Sequence, residues 1–109
     1  MHDEHQFQGL KLDFTSIKKA SLILRTLNNK VCQRIFELLG KNTEMTVTEI
    51  YSALFLEQSV ASMHLAKMRR HKIVTTKRNG KNILYGLNTE KLVHLNEILR
   101  QLSEVSTAE

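Results

Sequence analysis

The side chains of this chain best placed to do chemistry are cations. Between Glu57 and Glu90 there is no Asp or Glu, and there are seven Lys or Arg: Lys67, Arg69, Arg70, Lys72, Lys77, Arg78 and Lys81. The other nine basic residues are outnumbered by the eleven acids, so the formal charge of +5 arises in one stretch of 32 residues. A positive stretch without local counter-charges suits a polyanion, and double-stranded DNA is the first candidate. The plainer alternative is a solvated charge run. Bond-making chemistry has no comparable support. There is no Gly-rich phosphate loop and no Ser/His/Asp or Cys/His arrangement at a recognisable spacing. The chain is therefore not read as an enzyme, and no cofactor is expected.

Other candidate groups are isolated. His2-Asp3-Glu4-His5 carries metal-ligating side chains, but terminal His and acids are ordinarily solvated, and no metal site is assigned. Cys32 is the single cysteine. It excludes an internal disulfide framework and fits a reducing cytosol. With no partner thiol it reads as a filler between helices, a redox switch being the alternative. His64 is either a DNA contact or a structural hydrogen-bonding residue, and His71 and His94 read as surface. No apolar run approaches the roughly 18 residues of a membrane span. The polar start Met1-His2-Asp3-Glu4-His5-Gln6 is not a signal peptide. These features predict a cytoplasmic protein with no membrane partner.

The elements that must position the cations follow from periodicity. At 109 residues, 41% hydrophobic and 25% charged, the chain predicts one soluble domain over 1–109, with 1–12 a loosely held arm and 106–109 a frayed tail. Thr15 or Ser16 is the expected N-cap of a first helix, with a stripe of Ile17, Ala20, Leu24 and Leu27. A second helix carries Val31, Ile35, Phe36, Leu38 and Leu39, with Gly40 as its stop. Thr46 and Glu49 have the spacing of a capping box for a short third helix. A break at Phe55-Leu56-Glu57 leads to a fourth helix, with Ala61, Leu65 and Met68 facing inward. Its opposite face carries Gln58, Ser59, Ser62, Met63 and Ala66, small or hydrogen-bonding side chains suited to close approach in a groove. Lys67, Arg69 and Arg70 follow one turn later, where phosphates would lie.

Asn79-Gly80 between two β-rich runs signals a hairpin. A two-residue turn there would pair Arg78 with Lys81, Thr76 with Ile83 and Val74 with Tyr85, placing two cations opposite each other at the tip. That repulsion is more readily accepted if an anion sits there. Asn88-Thr89 caps a last helix with a stripe of Leu92, Leu95, Leu99 and Leu102. The first and last helices thus both carry broad apolar surfaces. A small core cannot easily cover both, so a second copy of the chain is the expected cover, through Ile17, Ala20, Leu24, Leu92, Leu95, Leu99 and Leu102.

This order is that of a winged helix-turn-helix: mainly α, with a β-hairpin wing. Leu27-Asn28-Asn29-Lys30-Val31-Cys32-Gln33-Arg34-Ile35-Phe36-Glu37-Leu38-Leu39 resembles a helix segment of ArsR/SmtB-type repressors. Gln58-Ser59-Val60-Ala61-Ser62-Met63-His64-Leu65 resembles their recognition helix, and Arg78-Asn79-Gly80-Lys81 followed by Tyr85 and Leu87 resembles their wing. The similarity runs from about Leu24 to Leu102. It implies a homodimeric, sequence-specific transcriptional regulator, usually a repressor. By position it carries over DNA contacts to Gln58, Ser59, Ser62, Met63 and His64 on the helix and to Lys77, Arg78, Asn79, Gly80 and Lys81 on the wing.

The resemblance also shows departures. Met63 stands where the family commonly has Arg, and Phe55 where it has a turn glycine, so a positive φ at Phe55 would be strained. The family's metal-binding Cys-Val-Cys is here Thr46-Val47-Thr48, without a thiolate. Its last-helix zinc site falls on Thr89-Glu90-Lys91 with Leu102 and Val105, which do not fit zinc. The rival reading is a winged helix used as a protein-interaction or RNA-binding module, which predicts an exposed apolar patch on the fourth helix.

Overall fold

Side-chain caps decide where four of the five helices begin. In the computed structural model, which describes residues 4–7 and 10–107 and the side chains of 13–102, α1 spans Phe14–Leu27. Its N-cap is Asp13, whose carboxylate accepts from the N–H groups of Thr15 (3.1 Å) and Ser16 (3.3 Å). This corrects the expected caps Thr15 and Ser16, which are instead the residues being capped. The Ser16 hydroxyl, followed by its backbone N–H, holds the Asp13 carboxyl below its ordinary range. α2 spans Lys30–Lys41 behind Asn29, whose side chain accepts from Val31 and Cys32. Gly40 does not stop it. The helix ends at Asn42, whose backbone N–H and side-chain amide both donate to the Leu38 carbonyl. α3, Val47–Leu54, opens with the expected capping box between Thr46 and Glu49. α4 spans Gln58–Arg70. α5 spans Thr89–Thr107, and Asn88 accepts from the N–H of Lys91.

Two antiparallel sheets accompany the helices. β1 (Glu4–Phe7) pairs with β2 (Leu10–Asp13), so the described part of the expected arm is a hairpin. The expected frayed tail is still helical at Thr107. The second sheet has the order β3-β5-β4, from Met45–Thr46, Asn82–Leu87 and Val74–Asn79.

The hairpin register differs from the expected one by two residues. Asn79 pairs with Asn82, Arg78 with Ile83, Thr76 with Tyr85 and Val74 with Leu87. The loop is therefore Gly80-Lys81, not Asn79-Gly80. Gly80 takes φ +64 at the first loop position, a conformation that costs glycine little. Arg78 and Lys81 are not cross-strand partners, so the expected repulsion between them across the ladder does not arise. The two-residue shift leaves Val74, Thr76 and Arg78 on the same face.

The core lies where α2, α3, α4 and the sheet meet: Cys32, Ile35, Leu39, Ile50, Leu65, Met68, Ile73 and Val74, with Ile23 of α1 and Leu95 of α5 at its border. Ala61, Leu65 and Met68 face inward as expected, each at most 1% exposed.

Candidate nucleic-acid interface

Left-handed residues end both α3, just ahead of α4, and α4 itself. Before it, Phe55 has φ 55. Its N–H donates to Ser52, and that of Leu56 donates to Tyr51 (2.9 Å), the paired bonds of a Schellman helix end. Arg34 of α2 reinforces this end by donating to the Leu54 carbonyl at 2.7 Å. The turn keeps this left-handed conformation with Phe55 in it, a residue that is 94% exposed. At the other end Lys72 has φ 59. Its N–H donates to Arg69, and that of Ile73 donates to Met68 (2.8 Å), the same motif. Neither position holds a glycine, yet at both the backbone follows the path a glycine would take.

Between these ends α4 divides cleanly. Gln58, Ser59, Ser62, Met63 and Ala66 are exposed, as are Lys67, Arg69 and Arg70. Their short or polar side chains leave the outer face open to close approach. Met63, 49% exposed, is the one large apolar side chain among them. The apolar patch that a protein-binding α4 would present is thus reduced to a single residue. Glu57 precedes the helix and makes no capping bond.

His64 departs from this face. It is 7% exposed, and its Nδ1 lies 3.5 Å from Cys32 Sγ of α2. Its place in the helical turn puts it beside Ala61, Leu65 and Met68, so it cannot reach a base edge without unpacking. Its burial and its contact with Cys32 favour the structural of the two readings. Burial, followed by the charge of Lys67, pushes its pKa down, and burial pushes the Cys32 thiol up. Cys32, 1% exposed, fills the space between α2 and α4.

The wing presents Lys77, Arg78, Asn79, Gly80 and Lys81, all exposed. Lys77 lies 3.9 Å from Glu44, and Arg78 Nε donates to the Gly80 carbonyl at 3.5 Å. β3, too short to be visible in the sequence pattern, ties the wing to the start of α3 through Met45↔Tyr85 and Thr46↔Leu84.

The two positions where the family holds metal are occupied here by Thr46-Val47-Thr48 and by Thr89-Glu90-Lys91 with Leu102 and Val105. Thr46 is engaged as the α3 cap. Lys91 and Leu102 are not zinc ligands. Among the described residues no three His, Cys, Asp or Glu side chains form a cluster. His2 and Asp3 lie outside the described residues, as do the side chains of Glu4 and His5.

The outer helices show a second kind of surface. Phe14, Ile17 and Leu24 of α1 and Val93, Ile98 and Leu102 of α5 are 37–69% exposed. Leu95, expected in the subunit interface, is 6% exposed in the single chain and packs in its core. Ala20, Leu92 and Leu99 are half-buried and also pack on that core.

A short helix, a turn, an outward-facing polar helix and a cationic β-hairpin define a winged helix-turn-helix protein. No family model matches the chain, but individual relatives do. It is 30% identical over 96 residues to the transcriptional repressor PagR of Bacillus anthracis, covering 88% of this chain and 96% of that protein. It is 33% identical over 84 residues to the transcriptional activator HlyU of Vibrio cholerae, covering 77% of each. The structure of reduced HlyU matches with a TM-score of 0.64 over 82% of this chain and 93% of that one. The arsenical resistance operon repressor of Staphylococcus xylosus is 30% identical, covering 77% of this chain and 80% of that protein. The chain belongs to the ArsR/SmtB-type winged helix-turn-helix transcriptional regulators.

Proposed function

We propose that this protein is a sequence-specific, duplex-DNA-binding transcriptional repressor that works as a homodimer and without the family's usual metal sites. The observation that carries the reading is the outer face of α4. Gln58, Ser59, Ser62 and Met63 stand clear of the core, with exposed cations following on α4 and on the wing. In this reading α4 enters the major groove. Gln58 and the two serines meet base edges, Met63 offers an apolar contact to a thymine methyl, and Lys67, Arg69 and Arg70 meet phosphate. The wing meets backbone phosphate through Arg78 and Lys81. Lys77 contributes less, since Glu44 already offsets part of its charge. His64 is not among the contacts.

The exposed apolar residues of α1 and α5 support the second copy. No helix among the described residues is long and apolar enough to cross a membrane. In this reading the protein works in the cytoplasm, alongside the DNA it binds.

The test is fluorescence anisotropy on duplex DNA over a salt series. With about three to five phosphates neutralised per subunit, log K falls against log salt with a slope of roughly −5 to −9. Salt-insensitive binding, or none at low salt, would defeat the reading.

A further inference from the structure

A pocket of about 300 Å³ opens between the end of α1, the start of α2 and the flank of α4. Its floor is neutral, formed by the buried pair Cys32 and His64. Its rim carries Arg25, Lys67, Arg70 and His71. No Asp or Glu lines it. Among the described residues ion pairs join Lys77 to Glu44 and Arg100 to Glu97, and neither involves this rim. Arg25 comes from a different element than the other three, so the cluster is not simply the basic end of one helix.

The local backbone adds to the imbalance. Asn28 and Asn29 also line the pocket, and Asn29 caps α2, whose first turn holds no acid. The positive end of the α2 dipole is thus left without a counter-charge. The floor cannot supply one, because burial keeps the His64 ring and the Cys32 thiol in their neutral forms. Cations gathered in a concavity without an acid leave one anion unaccounted for. Two guanidinium groups suit a tetrahedral oxyanion, whose oxygens accept their forked N–H groups in pairs. The volume equals that of about ten waters, enough for a phosphate and part of the sugar or small organic body that carries it.

We propose that this pocket seats a phosphate-type oxyanion, held by Arg25, Lys67, Arg70 and His71. The phosphate has two possible sources: the DNA backbone flanking the groove that α4 enters, or a free phosphorylated small molecule. The first source rests on the DNA-binding reading and the second does not. Occupation by a free phosphate would take Lys67 and Arg70 away from DNA, which gives the pocket a route to control binding.

The experiment has two arms, both on the full chain. In the first, inorganic phosphate is titrated at constant ionic strength against chloride and followed by amide NMR. Saturable shifts are expected at Asn29, Val31, Arg70 and His71, together with at least tenfold weaker phosphate binding in Arg25→Gln/Arg70→Gln. Both side chains are exposed, so the double variant should keep the wild-type spectrum elsewhere; Arg25→Gln alone serves if it does not. In the second, Arg25→Gln is assayed on duplex DNA over a salt series. A salt slope reduced by about one per subunit assigns the seat to DNA phosphate. An unchanged slope, with phosphate releasing DNA from the wild type more than matched chloride does, assigns it to a free phosphate. Shifts that persist in the variant overturn the proposal. So does the absence of saturable shifts together with an unchanged slope. Failure of all duplex binding would defeat the DNA reading alone and leave the first arm to decide the pocket.

Discussion

The outer face of α4 and the outer faces of α1 and α5 are about equally open to solvent, yet they are built from opposite materials. On α4 the exposed residues are Gln58, Ser59, Ser62, Met63 and Ala66, with the cations one turn on. On α1 and α5 they include Phe14, Ile17, Leu24, Val93, Ile98 and Leu102. A surface that binds a charged, hydrated groove must give up little water-free area and must keep side chains short. A surface that binds its own copy gains from every apolar area it hides. Exposure alone therefore says little about function; what is exposed separates a nucleic-acid face from a subunit face.

The largest way to break this comparison is to charge the subunit face. Ile17→Glu with Ile98→Glu buries carboxylates in the proposed seam and should convert a micromolar dimer to monomer in sedimentation. Binding to a two-half-site operator should fall by about a hundredfold or more, because the half-sites are then bound independently. A wild-type monomer at that concentration would erase the distinction.

The next largest effects lie on the DNA face. Arg78→Ala with Lys81→Ala should flatten the salt slope by roughly two to four and leave sequence preference nearly intact. Gln58→Ala or Ser62→Ala should do the reverse, costing about 1–3 kcal/mol of discrimination at the contacted base pair with little change of slope. Competition between single-base operator variants reads the second effect. Mutants that moved slope and preference together would show that helix and wing do not divide the work.

The smallest effects concern stability. Phe55→Gly should stabilise by about 1 kcal/mol, a few degrees in thermal melting, since an exposed ring is lost and a left-handed strain is relieved. If DNA affinity fell as well, Phe55 would have to be added to the DNA face. His64 has its pKa depressed by burial. It supports the fold fully above its unfolded pKa of about 6.5, and that support is lost as pH falls from there toward the native value. Melting temperatures at pH 7.5 and 5 should differ more in the wild type than in His64→Gln.

Much of this was legible in the chain because it rests on local signals. The capping box at Thr46, the inward set Ala61-Leu65-Met68 and the acid-free basic stretch are properties of spacing and composition. Other features were not legible, because they depend on what lies across the fold. His64 reads as a DNA contact from its motif, and only its packing on Cys32 turns it inward. Leu95 belongs to a proper helical stripe, but the stripe does not say whether the protomer or its partner covers it. The hairpin turn lies one residue later than expected, shifting the register by two, because Asn-Gly and Gly-Lys both supply a glycine, and pairing along the whole ladder decides between them. β3 has two residues, too few for any alternation to be read. Lys72 hides a positive φ behind a side chain that ordinarily avoids it, whereas the one at Phe55 was signalled by the resemblance.

Those two left-handed ends have a consequence for how this sequence can change over time. The one at Lys72 closes the end of α4 with a pair of backbone bonds, and the one at Phe55 closes α3 two residues before the α4 N-cap, so the thirteen residues from Gln58 to Arg70 are held between two fixed turns with little room to absorb an extra one. A single inserted residue would rotate everything beyond it by about 100°, carrying Met68 out of the core and a cation into it. The segment can accept new letters but not new length. The loop at Gly80-Lys81, open at its tip, can accept both, so length differences among descendants of this chain should collect in the wing while α4 keeps its count.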